Sequence, residues 1–269
     1  MPPVALTIAG SDPSGGAGLQ ADLKTFHQFD VYGEAVITLL TVQNTRTVSR
    51  VHTLSADLIA EQIRAVIADI PPAAAKTGAL GTVEIIEAVA ALAESFDFPL
   101  IVDPVMVSKH GARLLAPEAE IALRLKLLPR AFLVTPNLYE AEALTGLSIR
   151  AKEDMHAAAR RLFEFGCPNV LIKGGHLPGQ PVDLLYGQAG AHFFEGTRVE
   201  TRHTHGTGCA YSAAITAGLA LGRSLWEAVA QAKDFVQRAI ETAPGLGAGN
   251  GPLNFNTSAP MDRPCRSKP

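Results

Sequence analysis

Short apolar runs alternate with amphipathic segments along most of the chain. Val4 to Ala9, Ala35 to Val42, Leu100 to Val102, Ala131 to Val134 and Asn169 to Ile172 are brief and dominated by aliphatic residues, which predicts buried strands. Between them the apolar spacing changes. Ile59, Ile63, Val66, Ile67 and Ile70 recur at three- and four-residue intervals behind the candidate N-cap Ser55. Leu225, Val229, Ala232, Val236 and Ile240 do the same behind Ser224 and Glu227, whose spacing is that of a capping box. Strand and helix in this rhythm predict an α/β fold, a mostly parallel central sheet with helices on both faces. Leu184 to Tyr186 and His192 to Glu200, with Gly187 and Gly190 between, predict an antiparallel hairpin joined to the sheet before the last helices. No repeat, linker or low-complexity block interrupts residues 1–257, which are expected to form a single domain. The polar, Pro-containing residues 258–269 are expected to be a disordered tail without a functional role.

Composition narrows the partners. With 269 residues, 47% of them hydrophobic, the chain can enclose a sizeable core. A net charge of -3 provides no broad basic surface, so neither nucleic acid nor an anionic membrane is an expected partner, and a small ligand is. Cys167, Cys209 and Cys265 are odd in number and lack CxxC spacing, which argues against a disulfide framework or a structural zinc site and fits a reducing compartment. The first residues lack the pattern of a secretory leader, and no run reaches the ~18 apolar residues of a membrane span. A soluble, cytoplasmic protein is expected.

Two glycine-rich segments could carry chemistry. The first strand runs into Gly10-Ser11-Asp12-Pro13-Ser14-Gly15-Gly16-Ala17-Gly18 and then a helix carrying Asp22. Such a turn lets backbone approach a ligand closely. Gly16 to Ala21 matches a dinucleotide fingerprint, but Val42 to Arg46 lacks the acidic residue that should accompany it, so a dehydrogenase is disfavoured. A tight turn with no ligand is the plain alternative. A GxxxxGK[ST] phosphate loop is absent. The second segment, His203 to Ala210, precedes a helix of small residues. Gly206, Thr207, Gly208 and Cys209 would expose unpaired N–H groups at a helix start, where the dipole favours an anion such as a developing phosphate oxyanion. A thiol there is expected to have a lowered pKa, so Cys209 is a candidate base or orienting group for a substrate hydroxyl. The alternative is a small cysteine packed at the helix start. His203 and His205 share no ligand spacing with Cys209, which argues against a metal centre built on them. Asp103, Asn137, Glu140 and Lys173 follow apolar runs, at the strand ends where open α/β sheets bind ligands. Carboxylates there can hold Mg²⁺ on nucleotide phosphates, and a lysine can neutralise them. Taken singly, Asp103 could cap a turn, Asn137 an N-terminus, and Glu140 could complement a helix dipole.

These blocks together resemble a known family. Thr7 to Phe26, Val42-Gln43-Asn44, Asp103-Pro104-Val105-Met106-Val107, Thr135 to Glu142, Ile172-Lys173-Gly174-Gly175-His176 and His203 to Cys209 are similar, in order, to the hydroxymethylpyrimidine and phosphomethylpyrimidine kinases of thiamine biosynthesis. The resemblance implies a ribokinase-like fold, ATP and Mg²⁺ as cofactors, and two successive phosphorylations: of the pyrimidine's hydroxymethyl group, then of the monophosphate. It also implies a homodimer. By the same resemblance Gln43 would bind the aminopyrimidine, with Asp22, Val105 and the Gly10 backbone closing the pocket. Gly206 to Cys209 would form the anion hole, Lys173, Asn137 and Glu140 would meet the nucleotide, and Asp103 with Glu140 would serve Mg²⁺. An amide such as Gln43 offers both a donor and an acceptor to such a ring.

The chain departs from common family patterns at Ala79, where a methionine often follows the Lys76-Thr77-Gly78 motif, in Ser108 to Arg113, and in Gly247 to Pro252. These differences bear on substrate breadth. A vitamin B6 kinase on the same scaffold and a pyrimidine-binding protein without catalysis are the alternatives. The loop from Val105 to Arg113 is the candidate lid.

Overall fold

The computed structural model describes residues 2–257, so the predicted disordered tail lies outside the described residues. Nine strands form one sheet in the order β3-β2-β1-β4-β5-β6-β7-β8-β9. They are β1 (Val4–Ser11), β2 (Tyr32–Gln43), β3 (Val48–Thr53), β4 (Ala74–Thr77), β5 (Leu100–Val102), β6 (Leu133–Val134), β7 (Asn169–Lys173), β8 (Val182–Gly187) and β9 (Gly190–Glu195). The six strands from β2 to β7 in that order run parallel, and β3, β8 and β9 are antiparallel additions at the two edges. The helices are α1 (Gly18–Gln28), α2 (Ala56–Asp69), α3 (Val83–Ala93), α4 (Ala119–Ala122), α5 (Leu138–Thr145), α6 (Lys152–Glu164), α7 (Thr207–Ala220) and α8 (Leu225–Glu241).

Strand side chains alternate between two cores. Leu6, Ile8, Val102, Val134, Val170 and Ile172 pack in the layer containing α2, α3, α5 and α6. Ala5, Ile101, Leu133 and Leu171 face the opposite layer, with α1, α7 and α8. Parallel strands buried on both faces read as continuous apolar runs for this reason, because neither set of alternate positions meets water. α7 is buried almost all round, and its Ala, Gly, Ser and Thr residues let α8 and α1 approach closely. The cap read from sequence at Ser224 is formed in full: its hydroxyl accepts the Glu227 N–H, and the Glu227 carboxylate accepts the Ser224 N–H.

Differences from the sequence reading have local causes. β6 begins at Leu133, because Ala131 still closes the preceding turn through its N–H to the Leu128 carbonyl. The second hairpin strand starts earlier and stops at Glu195. β4 is a short Ala-Ala-Lys-Thr segment with a fully buried lysine, an arrangement that apolar patterning does not signal.

This layering places the ends of β1, β4, β5, β6 and β7 and the start of α7 along one edge. Loss of the Ser224 cap is expected to cost about 1 kcal/mol in a Ser224→Ala variant. Urea unfolding checks this, and a cost near zero would mean that the capping box does not stabilise α8.

Candidate active site

At the sheet edge two lysines are neutralised by carboxylates from neighbouring elements. Lys76 of β4 donates to both oxygens of Asp22, at 2.8 Å each, and the Thr7 hydroxyl donates to Asp22 at 2.6 Å. Lys76 and Asp22 are fully buried. Burial alone would favour the neutral amine, but the adjacent Asp22 carboxylate holds the Lys76 pKa above its ordinary value. Asp22 therefore lies beneath the cleft with its carboxylate engaged, and it acts on the surface above through Lys76. Gly10, at the end of β1, brings its carbonyl against the start of α1 at Gly18.

The second pair lies closer to the surface. Lys173, at the end of β7, donates to Asp103 Oδ1 at 2.9 Å, and the Ser212 hydroxyl of α7 donates to Asp103 Oδ2 at 3.0 Å. Asp103 thus ties β7 to α7. Asn137 accepts the Glu140 N–H and Glu140 accepts the Asn137 N–H, the N-terminal cap that residue type alone allowed for both. The Glu140 carboxyl remains unusual. Burial pushes its pKa up to about 7; Asp103 adds to the rise, while Lys173 and the N–H groups of Asn137 and Met106 oppose it. Two carboxylates crowded beside one lysine fit a divalent cation shared with phosphate oxygens, since Mg²⁺ typically takes one or two carboxylates plus the phosphates of its nucleotide.

The start of α7 lies between these groups. Gly206 has a φ of 83°, and a side chain there would collide with the Gly16 carbonyl, so glycine is required. No side chain caps the helix, which leaves first-turn N–H groups for an anion. A Cβ at Gly208 would lie 3.3 Å from Lys173 Nζ, so the lysine borders the same space. Cys209 Sγ accepts a hydrogen bond from the Gly18 N–H. Its thiol is not the low-pKa group expected at a helix N-terminus. Burial pushes it up to about 12 although Lys76 pulls it down, so at neutral pH it is a thiol and a hydrogen-bonding group.

The far end of the cleft is built from loops. Gln43, at the end of β2, is partly exposed and lies 3.1 Å from His205 Nε2, which is itself 2.8 Å from Asp12 Oδ2. The candidate lid folds back on itself through the Ser108 N–H to the Ala112 carbonyl, with Val105 at its base, and His110 at its tip reaches the Thr45 carbonyl at 2.8 Å. The segment from His205 to Cys209 links the Gln43 end to the Lys173 end. Lys76, Asp12, His205, Ser212 and Arg198 escaped the role assignments made from sequence. Arg198 donates to the carbonyls of Gly175, Leu177 and Gly179 and so fixes the loop after β7. The one available signal was the position of Lys76, Asp12 and His205 inside quoted motifs; Arg198 offered none.

The sequence model of the family described as phosphomethylpyrimidine kinase matches residues 12–254. The hydroxymethylpyrimidine/phosphomethylpyrimidine kinase of Bacillus subtilis is 46% identical over 255 residues, covering 93% of this chain and 93% of that protein. The thiamine biosynthesis bifunctional protein ThiED of Geobacter sulfurreducens is 49% identical over 256 residues; the chain spans 52% of its length. Among solved structures, a pyridoxal kinase from Staphylococcus aureus in complex with AMP-PCP and pyridoxal superposes with a TM-score of 0.87 at 39% identity, covering 95% of this chain and 94% of that one.

Two outcomes follow from the charges. Lys76→Met leaves Asp22 buried without its counter-ion and is expected to cost about 3–5 kcal/mol in urea unfolding, part of which Asp22→Asn should restore in the double variant; a loss under about 1 kcal/mol would contradict the pairing. Glu140 binds its proton more tightly folded than unfolded, so it erodes stability as pH rises from about 4.5 through about 7. Glu140→Gln should therefore gain on the parent as pH rises across that window, and parallel stability profiles would contradict the raised carboxyl.

Proposed function

The chain belongs to the phosphomethylpyrimidine kinase family, and from that premise we propose that it transfers the γ-phosphoryl group of ATP to the hydroxymethyl group of 4-amino-5-hydroxymethyl-2-methylpyrimidine. A second transfer to the monophosphate then gives the pyrophosphate used in thiamine biosynthesis. The observation that carries this reading is the placement of Lys173, Asp103 and the uncapped α7 start beside one another, with Gln43 joined to them through His205 and the segment that leads from it into α7.

In this reading the Gly208 and Cys209 N–H groups and Lys173 receive the charge that accumulates on the transferred group, and they do so with little reorganisation because the fold already holds them. The Cys209 thiol orients the acceptor hydroxyl instead of ionising it. A loose phosphoryl-transfer transition state needs little prior deprotonation of the nucleophile. Asp103 and Glu140 would hold Mg²⁺, which would supply neutralisation of the phosphate oxygens when bound. Asn137 fixes Glu140 for that task through the cap. Gly10, Val105 and Asp22, the last acting through Lys76, shape the pyrimidine pocket. A homodimer and a cytoplasmic location accompany the reading; no helix among the described residues is long and apolar enough to cross a membrane.

A B6 kinase is the second reading, favoured by the likeness to the pyridoxal-bound Staphylococcus aureus structure. Mass spectrometry after incubation with Mg²⁺-ATP and hydroxymethylpyrimidine, its monophosphate or pyridoxal separates the two. Mono- and diphosphorylated pyrimidine are expected, and pyridoxal phosphate as sole product would contradict the pyrimidine assignment. Cys209→Ala is expected to lower turnover about a hundredfold with little change in nucleotide affinity; turnover equal to the parent's would remove Cys209 from the reaction.

A further inference from the structure

The Gln43 amide is held at both ends, and counting protons shows which way it must face. Thr41 Oγ1 lies 2.9 Å from the Ser11 carbonyl and 3.2 Å from one end of the amide; His205 Nε2 lies 3.1 Å from the other end. A hydroxyl has one proton and a carbonyl only accepts, so the Thr41 proton belongs to Ser11. Thr41 can then only accept from Gln43. At the other end, Asp12 Oδ2 lies 2.8 Å from His205 Nε2 and also receives the Ala17 N–H, while Oδ1 receives the Ser14 N–H and hydroxyl. A carboxylate surrounded by donors in this way is an acceptor, so His205 Nε2 carries a proton and directs it at Asp12. A protonated Nε2 cannot accept.

Drawn with its nitrogen toward His205, the amide would set donor against donor at one end and acceptor against acceptor at the other. Turned half a revolution about its last bond, the clash disappears at both ends: Nε2 donates to Thr41, and Oε1 shares with Asp12 the single proton of His205 Nε2. Amide nitrogen and oxygen are told apart by such networks and not by shape. His205 Nδ1 is buried and has no partner among the described residues, so a proton placed there would be left without an acceptor. The His110 ring packs edge-on against His205, with centroids 5.7 Å apart, and closes the outer side.

We propose that Asp12 and His205 are positioning residues that lock the Gln43 amide with its oxygen toward His205 and its nitrogen toward Thr41, and that this polarity selects the heterocycle. The locked amide keeps one N–H and one oxygen lone pair unspent, in fixed order. An amidine edge, a ring nitrogen beside an exocyclic amine, takes both at once. Pyridoxal has no amidine edge and gains nothing from the order. This proposal rests on the pyrimidine kinase reading for its choice of ligand, and on the proton count alone for the state of the amide.

Two measurements test it on the full chain. In ¹⁵N-labelled protein, long-range ¹H–¹⁵N spectra at neutral pH should show His205 with a protonated Nε2 and a bare Nδ1; a bare Nε2 overturns the lock whatever the protein phosphorylates. Calorimetry then compares hydroxymethylpyrimidine, pyridoxal and ADP on wild type, His205→Leu and His205→Gln. The leucine variant should lose about tenfold or more in pyrimidine affinity, the effect of an unpaired or reversed buried amide. Pyridoxal and ADP should bind it as they bind wild type. Glutamine, which can donate to both Asp12 and Gln43, should restore pyrimidine binding. Unchanged pyrimidine affinity in the leucine variant, or equal losses for pyrimidine and pyridoxal, would overturn the selective role. If wild type phosphorylates no pyrimidine, that result removes the reaction, and the histidine spectrum still decides the orientation of Gln43.

Discussion

Burial of Lys76 against Asp22 is the constraint on which the cleft depends. Neither charge is stable alone in a dry layer between sheet and helix, so β4, α1 and, through Thr7, β1 must stay in register. That register sets where α1 begins, and hence where Gly18 meets Gly10 and where its N–H meets Cys209. The uncapped start of α7 offers N–H groups to an anion without any basic patch on the exterior, so a net charge of -3 is compatible with an anion site.

The cleft divides its work along its length. At one end Asp103, Glu140 and Lys173 form a charged group, in which burial and the neighbouring Asp103 push the Glu140 carboxyl up to about 7. At the other end hydrogen-bonding groups dominate: Gln43, Thr41 and the ring of His205, with Asp12 behind it. Strong electrostatics suit the transferred phosphoryl group, where charge moves; ordered donors and acceptors suit an uncharged ring, where identity must be read. The segment from His205 to Cys209 links the two ends.

Much of the sheet was legible in the sequence because β1, β5, β6 and β7 are buried on both faces and therefore appear as apolar runs, while β2 keeps aliphatic residues even at exposed Leu40 and Val42. β4 was not, since two alanines, a lysine and a threonine carry no such signal, and Lys76 becomes a core residue only when Asp22, 54 positions away, is opposite it. β3 was missed for the opposite reason: an edge strand with exposed Ser49, Arg50 and His52 looks like a loop. Asp103, Glu140 and Lys173, read from sequence as strand-end residues, lie near one another because the ends of parallel strands share an edge. Pairing across 162 residues, as between Gln43 and His205, has no counterpart in local spacing. The thiol of Cys209 was misjudged since helix position is visible in sequence and burial is not.

The central claim is that one cleft holds ring and phosphates at opposite ends with Cys209 between them. The most direct measurement is a crystal structure with a non-hydrolysable ATP analogue, Mg²⁺ and hydroxymethylpyrimidine. The account predicts the aminopyrimidine edge on Gln43, the hydroxymethyl oxygen in hydrogen-bond reach of Cys209 Sγ, and the terminal phosphate at the Gly206 to Cys209 turn beside Lys173. A pyrimidine bound away from Gln43, or phosphates remote from the start of α7, would contradict it.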